Sequence, residues 1–305
     1  MSTLTTDATL DRLLRSPEPA VRHLARTRLA GEPARPGELG RSSVVRELSG
    51  DHGAHPYGKW RGAFWRVVSL VELGVGPSHR GTRRALEEAL AWLDTPAHRA
   101  RPVINGRVRR CATQEGLGLV AAVQQGLIRD ERVARLAATL VASQWPDGGW
   151  NCDRRPGATN SSFHESWAAT RGLWTYGLET GEDAAERAAR RGADFLLRHG
   201  VYCSERTGRP HEALTRLRWP PYWHYDVLVG LTTLARTVGL DDQRVAAALD
   251  VIEAKRRPDG TWRADGRWWK RPGTKGSNVE AVNWGPAADE LLTIGCLEVL
   301  SAAGR

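Results

Sequence analysis

A Pro-Asp-Gly turn that ends in tryptophan occurs twice in this 305-residue chain. The first copy spans 144–150 (QWPDGGW) and the second spans 256–262 (RRPDGTW), and each follows a stretch with helical spacing of apolar residues. A repeated supersecondary unit cannot bury its apolar face alone, so it must stack against its neighbours. The repeat therefore predicts a fold of similar helical units, with chemistry where those units converge.

Helical periodicity recurs along the sequence, whereas period-two alternation is nearly absent. Residues 7–29 predict a short helical hairpin, followed by a Pro/Gly-rich connector. Five later segments are small or apolar on most faces and are predicted as inner, buried helices: 60–74, 110–127, 162–178, 223–238 and 284–301. Four amphipathic segments alternate with them and are predicted as an outer layer: 82–95, 130–145, 183–199 and 243–256.

This alternation predicts an all-α protein, an (α/α) toroid of five to six helical hairpins. We divide the chain into an N-terminal helical hairpin with its connector, 1–40, and a toroid repeat domain, 41–305.

The charge is +9, yet 40 of the 44 basic residues are arginines scattered among acidic residues, so no nucleic-acid partner is expected. The four cysteines are too widely spaced for a secreted disulfide framework. No signal peptide and no apolar run of about 18 residues is found, so no membrane-spanning segment is expected and a cytoplasmic location is predicted.

The stretch from Gln144 to Trp150 resembles the Gln-x3-Gly-x-Trp core of the QW motif of squalene–hopene cyclases and other class II terpene cyclases. Residues 149–173 also resemble a segment of protein prenyltransferase β-subunits that carries a zinc-binding histidine, which would correspond to His164. By the same comparison, Cys111 matches a thiolate ligand. The whole chain resembles uncharacterised bacterial proteins with prenyltransferase or squalene-cyclase repeats, which implies the same toroid.

The departures from these families bear on function. Arg109 stands where the prenyltransferases have a zinc-binding aspartate, and the Asp-x-Asp-Asp acid motif of class II cyclases is absent. The chain is also about half as long as a squalene cyclase, which implies one barrel rather than two. A lanthionine-cyclase-like toroid ranks lower because the adjacent Cys-His pair of that family is missing.

Polar residues precede or begin several predicted inner helices, whose ends surround one rim of a toroid. Cys111, Cys152, His164 and His224 form a candidate tetrahedral zinc set, with Asp226 as an alternative fourth ligand. A packing role for the two thiols is the competing interpretation, because free cysteine is often simply buried. Four protein ligands would make the metal structural, and three would leave a catalytic position open.

Aromatic rings on or near the inner helices suit an apolar lumen, since ring faces stabilise cations. The candidate substrate-binding residues are Trp60, Trp167, Trp174, Tyr222, Trp223, Arg109 and Arg155, the two arginines as a grip for a diphosphate. Space-filling between helices and solvated loop charge are the plainer alternatives. Asp226, paired with His224 or shielded from water, is the candidate general acid.

Two hypotheses follow. The first is a terpenoid cyclase- or prenyltransferase-like enzyme that acts on an isoprenoid or other apolar molecule in the lumen, with or without zinc. The second is a non-catalytic ligand-binding or scaffold toroid with a structural zinc. The substrate, the product and the oligomeric state are left open.

Overall fold

The computed structural model describes residues 3–100 and 102–305, and it describes side chains from Ala8 onward. Its first helices are α1 (Thr3–Leu14) and α2 (Pro19–Leu24), and α2 continues into a π-helical turn, Ala25–Leu29. The remaining helices and the single two-stranded ribbon of the described part follow in order: α3 (Ser43–Leu48), α4 (Ala63–Glu72), α5 (Arg80–Leu93), α6 (Pro96–Arg99), β1 (Val103–Ile104), β2 (Arg107–Val108), α7 (Ala112–Gln124), α8 (Glu131–Ser143), α9 (Phe163–Thr180), α10 (Asp183–Arg198), α11 (Val227–Ala235), α12 (Ala246–Ala254) and α13 (Ala287–Ala302).

Helices α4, α7, α9, α11 and α13 form an inner ring in which each packs against the next. Helices α5, α8 and α10 each pack against two consecutive inner helices, and α12 packs against α11. All five inner and all four outer helices coincide with the segments predicted from periodicity. The fold is therefore the expected all-α toroid, and the antiparallel ribbon of β1 and β2 is a small addition in the loop before α7.

The N-terminal helices contribute to the ring. Helix α2 and its π-helical turn pack against α13, and α3 packs against α4. Between the first and last inner helices, the backbone N–H of Trp60 donates to the carbonyl of Val279 at 3.0 Å. The N-terminal hairpin thus occupies the sixth position of the ring, whereas the domain boundary at residue 40 stays a prediction.

The two Pro-Asp-Gly turns tie an outer helix to the next inner one. The indole N–H of Trp150 donates to the carbonyl of Leu140 on α8 at 2.9 Å, and its backbone N–H donates to Oγ of Ser166 on α9 at 3.1 Å. The second turn repeats both bonds, with Trp262, Ile252 on α12 at 2.8 Å and Thr293 on α13 at 3.1 Å. The repeated motif is therefore a brace between the two layers.

Helices α7 and α9 approach more closely than side chains would allow. A Cβ built on Gly116 would lie 2.3 Å from the backbone carbonyl of Ala168, and one on Gly172 would lie 2.6 Å from the carbonyl oxygen of Gly116. Only glycine permits such backbone contact. Within the described residues, none of the helices combines the length and the apolar character required to cross a bilayer.

Candidate functional site

A narrow cavity lies inside the ring, and the centre of a water molecule can occupy about 90 Å³ of it. Its walls come from the inner helices, from the π-helical turn and from the segment that precedes α11. Most of the lining is apolar: Leu24, Val68, Leu117, Trp167, Trp219, Pro220, Pro221, Tyr222, Leu228, Val229, Trp284, Leu291 and Ile294. A concave, largely apolar space with a few polar groups is the usual form of a small-molecule site.

Two of the five predicted substrate-binding rings, those of Trp167 and Tyr222, line this cavity. Trp60 lies behind it, buried and stacked on Tyr222 with ring centroids 3.9 Å apart. Trp174 is half-buried beneath the guanidinium of Arg190, 4.9 Å from the ring centre. Trp223 stacks on a neighbouring histidine and does not line the cavity. Trp219 and Trp284 complete the aromatic wall instead.

Tyr222 adopts φ +52°, a left-handed conformation that bulky residues rarely take. Such backbone strain is concentrated at functional sites because the surroundings must hold it in place. Here the neighbours are the Trp60 ring and the cavity itself, so the conformation sets an aromatic face against the lumen.

Asp226 lies at the cavity wall and is 4% exposed. It caps the N-terminus of α11: its Oδ1 accepts the N–H of Val229 at 2.9 Å, and its Oδ2 accepts the N–H of Arg218 at 3.2 Å. Burial raises the pKa of this carboxyl to about 7, against the effect of the backbone N–H groups that it accepts. The protonated form of this carboxyl, which borders the cavity, is therefore populated near neutral pH.

His224 does not pair with Asp226. Its Nδ1 lies 3.0 Å from the carbonyl oxygen of Pro221, to which it donates, and its ring stacks between Trp223 at 3.9 Å and Trp268 at 3.6 Å. Burial lowers the pKa of His224 to about 3, so the ring is neutral. It lies outside the cavity lining, so the structure does not bring the two residues of the predicted catalytic pair together.

Cys111 and Cys152 do meet, as predicted, and their third neighbour is Glu165. The two sulfur atoms and a carboxylate oxygen of Glu165 all lie within 4.8 Å of one another, which is the one such donor group among the described residues. Oε2 of Glu165 accepts both the N–H and the hydroxyl of Thr113, at 2.9 and 3.0 Å. Hydrogen bonding to Cys152 lowers the pKa of the Cys111 thiol, and burial raises the pKa of Glu165.

The two predicted histidine ligands lie elsewhere. Nδ1 of His164 accepts the backbone N–H of Tyr225 at 2.9 Å, and its ring is 6.5 Å from that of His224. Neither histidine belongs to the donor group of Cys111 and Cys152. On the first turn of α9, the carboxylate one residue beyond His164 points to the thiols instead.

The predicted arginine grip does not form. Arg109 is buried beside Trp145, 4.6 Å from the ring centre, and donates to the carbonyls of Ala158 and Ile104. Arg155 is exposed and pairs with Asp153 at 2.5 Å. Neither lines the cavity, because loop carbonyls hold Arg109 beside Trp145 and Asp153 holds Arg155 at the surface.

Sequence reasoning missed an ionic cluster at the other end of the lumen, in which Arg171 is buried and the other members are partly exposed: Arg28, Glu72, Arg171, Arg236 and Glu298. Arg171 pairs with Glu72 at 2.5 Å, and Arg236 bridges Glu72 at 3.2 Å and Glu298 at 3.0 Å. Four of the five line the cavity. The signal was a charged residue inside otherwise apolar inner helices, as with Arg171 one turn after Trp167.

Comparisons with known proteins found similarity only to solved structures of low sequence identity. No family model matches the sequence, and no curated protein matches it. A protein of solved structure from Actinoplanes is 15% identical, with 99% of this chain and 90% of that chain covered and a TM-score of 0.45.

Two structures of the type II terpene cyclase MstE from Scytonema also match. The apo enzyme is 16% identical over 97% of this chain and 99% of that one, with a TM-score of 0.26. A variant in complex with the product merosterolic acid A is 14% identical over 99% of both chains, with a TM-score of 0.28. All three scores lie below the level at which a shared fold supports an inference about function.

Proposed function

We propose that this protein is an enzyme that acts on an isoprenoid or similarly apolar alkene in the lumen, with Asp226 as the general acid. The observation that carries the proposal is a buried carboxyl, with a pKa of about 7, at the wall of an apolar and aromatic cavity. A general acid works best when its pKa lies near the operating pH, and burial tunes Asp226 to that value.

The chemistry needs few groups. Protonated Asp226 transfers its proton to one carbon of a C=C bond, and the adjacent carbon becomes a carbocation. The faces of Trp167, Tyr222 and Trp284 supply negative quadrupoles beside that charge. Loss of a proton from a neighbouring carbon to the Asp226 carboxylate restores the acid and leaves a rearranged or cyclised alkene. Atoms and charge balance without a co-substrate.

A zinc ion is a separate part of the proposal. Two thiols and one carboxylate within 4.8 Å of one another are donors that zinc accepts, and three protein ligands would leave one coordination position open. Bound there, zinc would supply a Lewis acid or a structural cross-link between the loop after α8 and the starts of α7 and α9. None of the three ligands lines the cavity, so we assign no step of the proton transfer to the metal.

The competing function is a ligand-binding toroid without catalysis. It is favoured by the capping role of Asp226, which the fold needs whether or not a reaction takes place. The two functions differ in what they predict for a protonation-dead variant.

The test is incubation of the protein with radiolabelled squalene and geranylgeranyl diphosphate, followed by product analysis. We expect turnover in the wild type and a loss of at least about 100-fold in Asp226→Asn. Asp130→Asn is the matched control, since Asp130 caps α8 in the same way but lies outside the lumen. Unchanged turnover in Asp226→Asn would refute the acid role, and binding of these probes without turnover would favour the ligand-binding protein.

A further inference from the structure

The ionic cluster at the far end of the lumen carries an unbalanced charge. It contains three arginines and two glutamates, and the arginines hold the pKa values of both glutamates below their usual range. Both glutamates are therefore ionised at neutral pH, so the cluster has a net charge of +1. A net positive charge at the end of a largely apolar cavity attracts an anion.

The cluster also lies at a defined distance from the proposed acid. Asp226 caps the first turn of α11, and Arg236 follows its last turn. A helical rise of 1.5 Å per residue separates these two ends by about 15 Å. The apolar and aromatic walls of the cavity lie between them, and Arg218 is the other cation in the lining, stacked 4.0 Å from the Trp268 ring near Asp226.

The three arginines differ in how many hydrogen bonds and ion pairs they form within the protein. Arg236 donates to both glutamates through three nitrogen atoms. Arg28 donates to the carbonyl of Glu72 at 2.7 Å and thereby caps α4. Arg171 has one partner, Glu72, in the described part of the chain, although a guanidinium carries five N–H donors.

Arg171 is also placed to meet a ligand. It follows Trp167 by four residues, so both side chains lie on the same face of α9, and both line the cavity. The guanidinium of Arg171 therefore has further N–H donors beside the aromatic wall. The planar arrangement of these donors matches the two oxygen atoms of a carboxylate.

We infer that the lumen takes an amphiphile with one negatively charged oxyanion group, held by Arg171 and the net positive charge of its cluster, with the apolar body extending toward Asp226. This inference names the substrate class and rests on the proposed function only in taking the lumen as the ligand site. A carboxylate is the simplest head group that neutralises a charge of +1.

The test is calorimetric titration with decanoate and with decanol, which share a chain and differ in charge. We expect decanoate to bind at least about tenfold more tightly, because only it neutralises the cluster. Arg171→Gln should remove that preference and leave decanol binding unchanged, whereas Arg171→Lys should keep part of it. Arg187→Gln, an exposed arginine on α10, is the matched control and should bind both probes as the wild type does.

The cluster offers a variant of opposite sign. Glu298→Gln raises the net charge to +2 and should tighten decanoate binding, which a cluster that merely joins helices would not do. Equal affinity for decanoate and decanol in the wild type would overturn the inference and leave the proposed function standing. Decanoate binding that depends on Arg171, without turnover of any polyprene, would uphold the inference and refute the enzyme.

Discussion

Arg171 on α9 and Glu72 on α4 form an ion pair at 2.5 Å that joins two inner helices flanking α7. Glu72 also pairs with Arg236 at 3.2 Å and with Arg28 at 4.0 Å, so this one carboxylate forms ion pairs with three arginines. These contacts join helices that are far apart in sequence at the end of the ring opposite Asp226. Loss of the central carboxylate should therefore cost more than loss of a peripheral charge.

Glu72→Gln is expected to lower the free energy of unfolding by about 3 kcal/mol, because it leaves the buried Arg171 without a carboxylate partner, whereas Arg28 and Arg236 keep Glu298. Urea denaturation measures the change. Asp183→Asn is the control: it breaks an exposed pair on α10, and we expect a change within about 0.5 kcal/mol. Since the pKa of Glu72 is lowered in the folded state, its contribution is present above pH 4.5 and is lost as the pH falls further. Equal effects of the two substitutions would contradict the assignment.

Asp226 predicts the opposite pH dependence. Its pKa rises from 3.8 to about 7 on folding, so the folded state holds a proton that the unfolded state has lost. Stability should fall by about 1.4 kcal/mol per pH unit as the pH rises between these values, and then level off. Asp226→Asn should flatten that slope, measured by urea midpoints at pH 5 and pH 8. An unaltered slope in the variant would show that the carboxyl is ionised throughout.

Catalysis by Asp226 should follow the same titration. The acid must be protonated to act, so turnover is expected to decline as the pH rises through about 7. Steady-state rates across pH 5 to 9 check this directly. Asp130→Asn should share the wild-type profile, and a rate that increases with pH would instead indicate a general base.

Zinc binding should depend on the thiol–carboxylate group. We expect about one zinc per chain by elemental analysis, with loss in Cys152→Ser and weakening in Glu165→Gln. Cys203→Ser is the control, because that cysteine lies in a different loop. His164→Ala should retain the metal, since Nδ1 of His164 accepts the N–H of Tyr225. Zinc lost in His164→Ala would favour the set of ligands expected from sequence, and zinc retained in Cys152→Ser would exclude both sets.

The contact of α7 with α9 makes a stability prediction that needs no ligand. Gly116→Ala should destabilise the protein by several kcal/mol, because the new Cβ would lie 2.3 Å from the backbone of Ala168. Gly295→Ala on α13 is the matched control, since its Cβ would lie 3.6 Å from Leu228 in ordinary contact. Thermal unfolding should separate the two variants clearly, and similar melting temperatures would show that α7 can move.

The layers of the fold could be read from the sequence because burial dictates composition. An inner helix such as α7 is buried on nearly every face and contains small and apolar residues throughout, whereas α10 alternates alanine with charge. The turn from Gln144 to Trp150 also predicts its own role. It lies between two helical segments, so its tryptophan is placed to contact both helices.

The site was harder to predict, for a geometric reason. His164 and Glu165 differ by one position, which on a helix is a rotation of about 100°, and sequence does not give the phase of the first turn. The position of Arg109 in a loop predicts a place at the rim of the lumen, but its side chain donates to the carbonyls of Ala158 and Ile104 within the loop region. Arg171 was overlooked because pairing with Glu72 joins residues that lie 99 positions apart.

The hydrogen bond of Trp60 to Val279, together with the packing of α2 on α13, has a practical consequence for engineering. The N-terminal hairpin closes the helical ring, so its removal would leave a gap between α13 and α4. A variant that lacks residues 3–30 would therefore lose the Leu24 and Arg28 side chains from the cavity wall, and the lumen would open as a cleft on that side. Fusions and shortened variants should accordingly keep residues 3–30, which form part of the lumen wall.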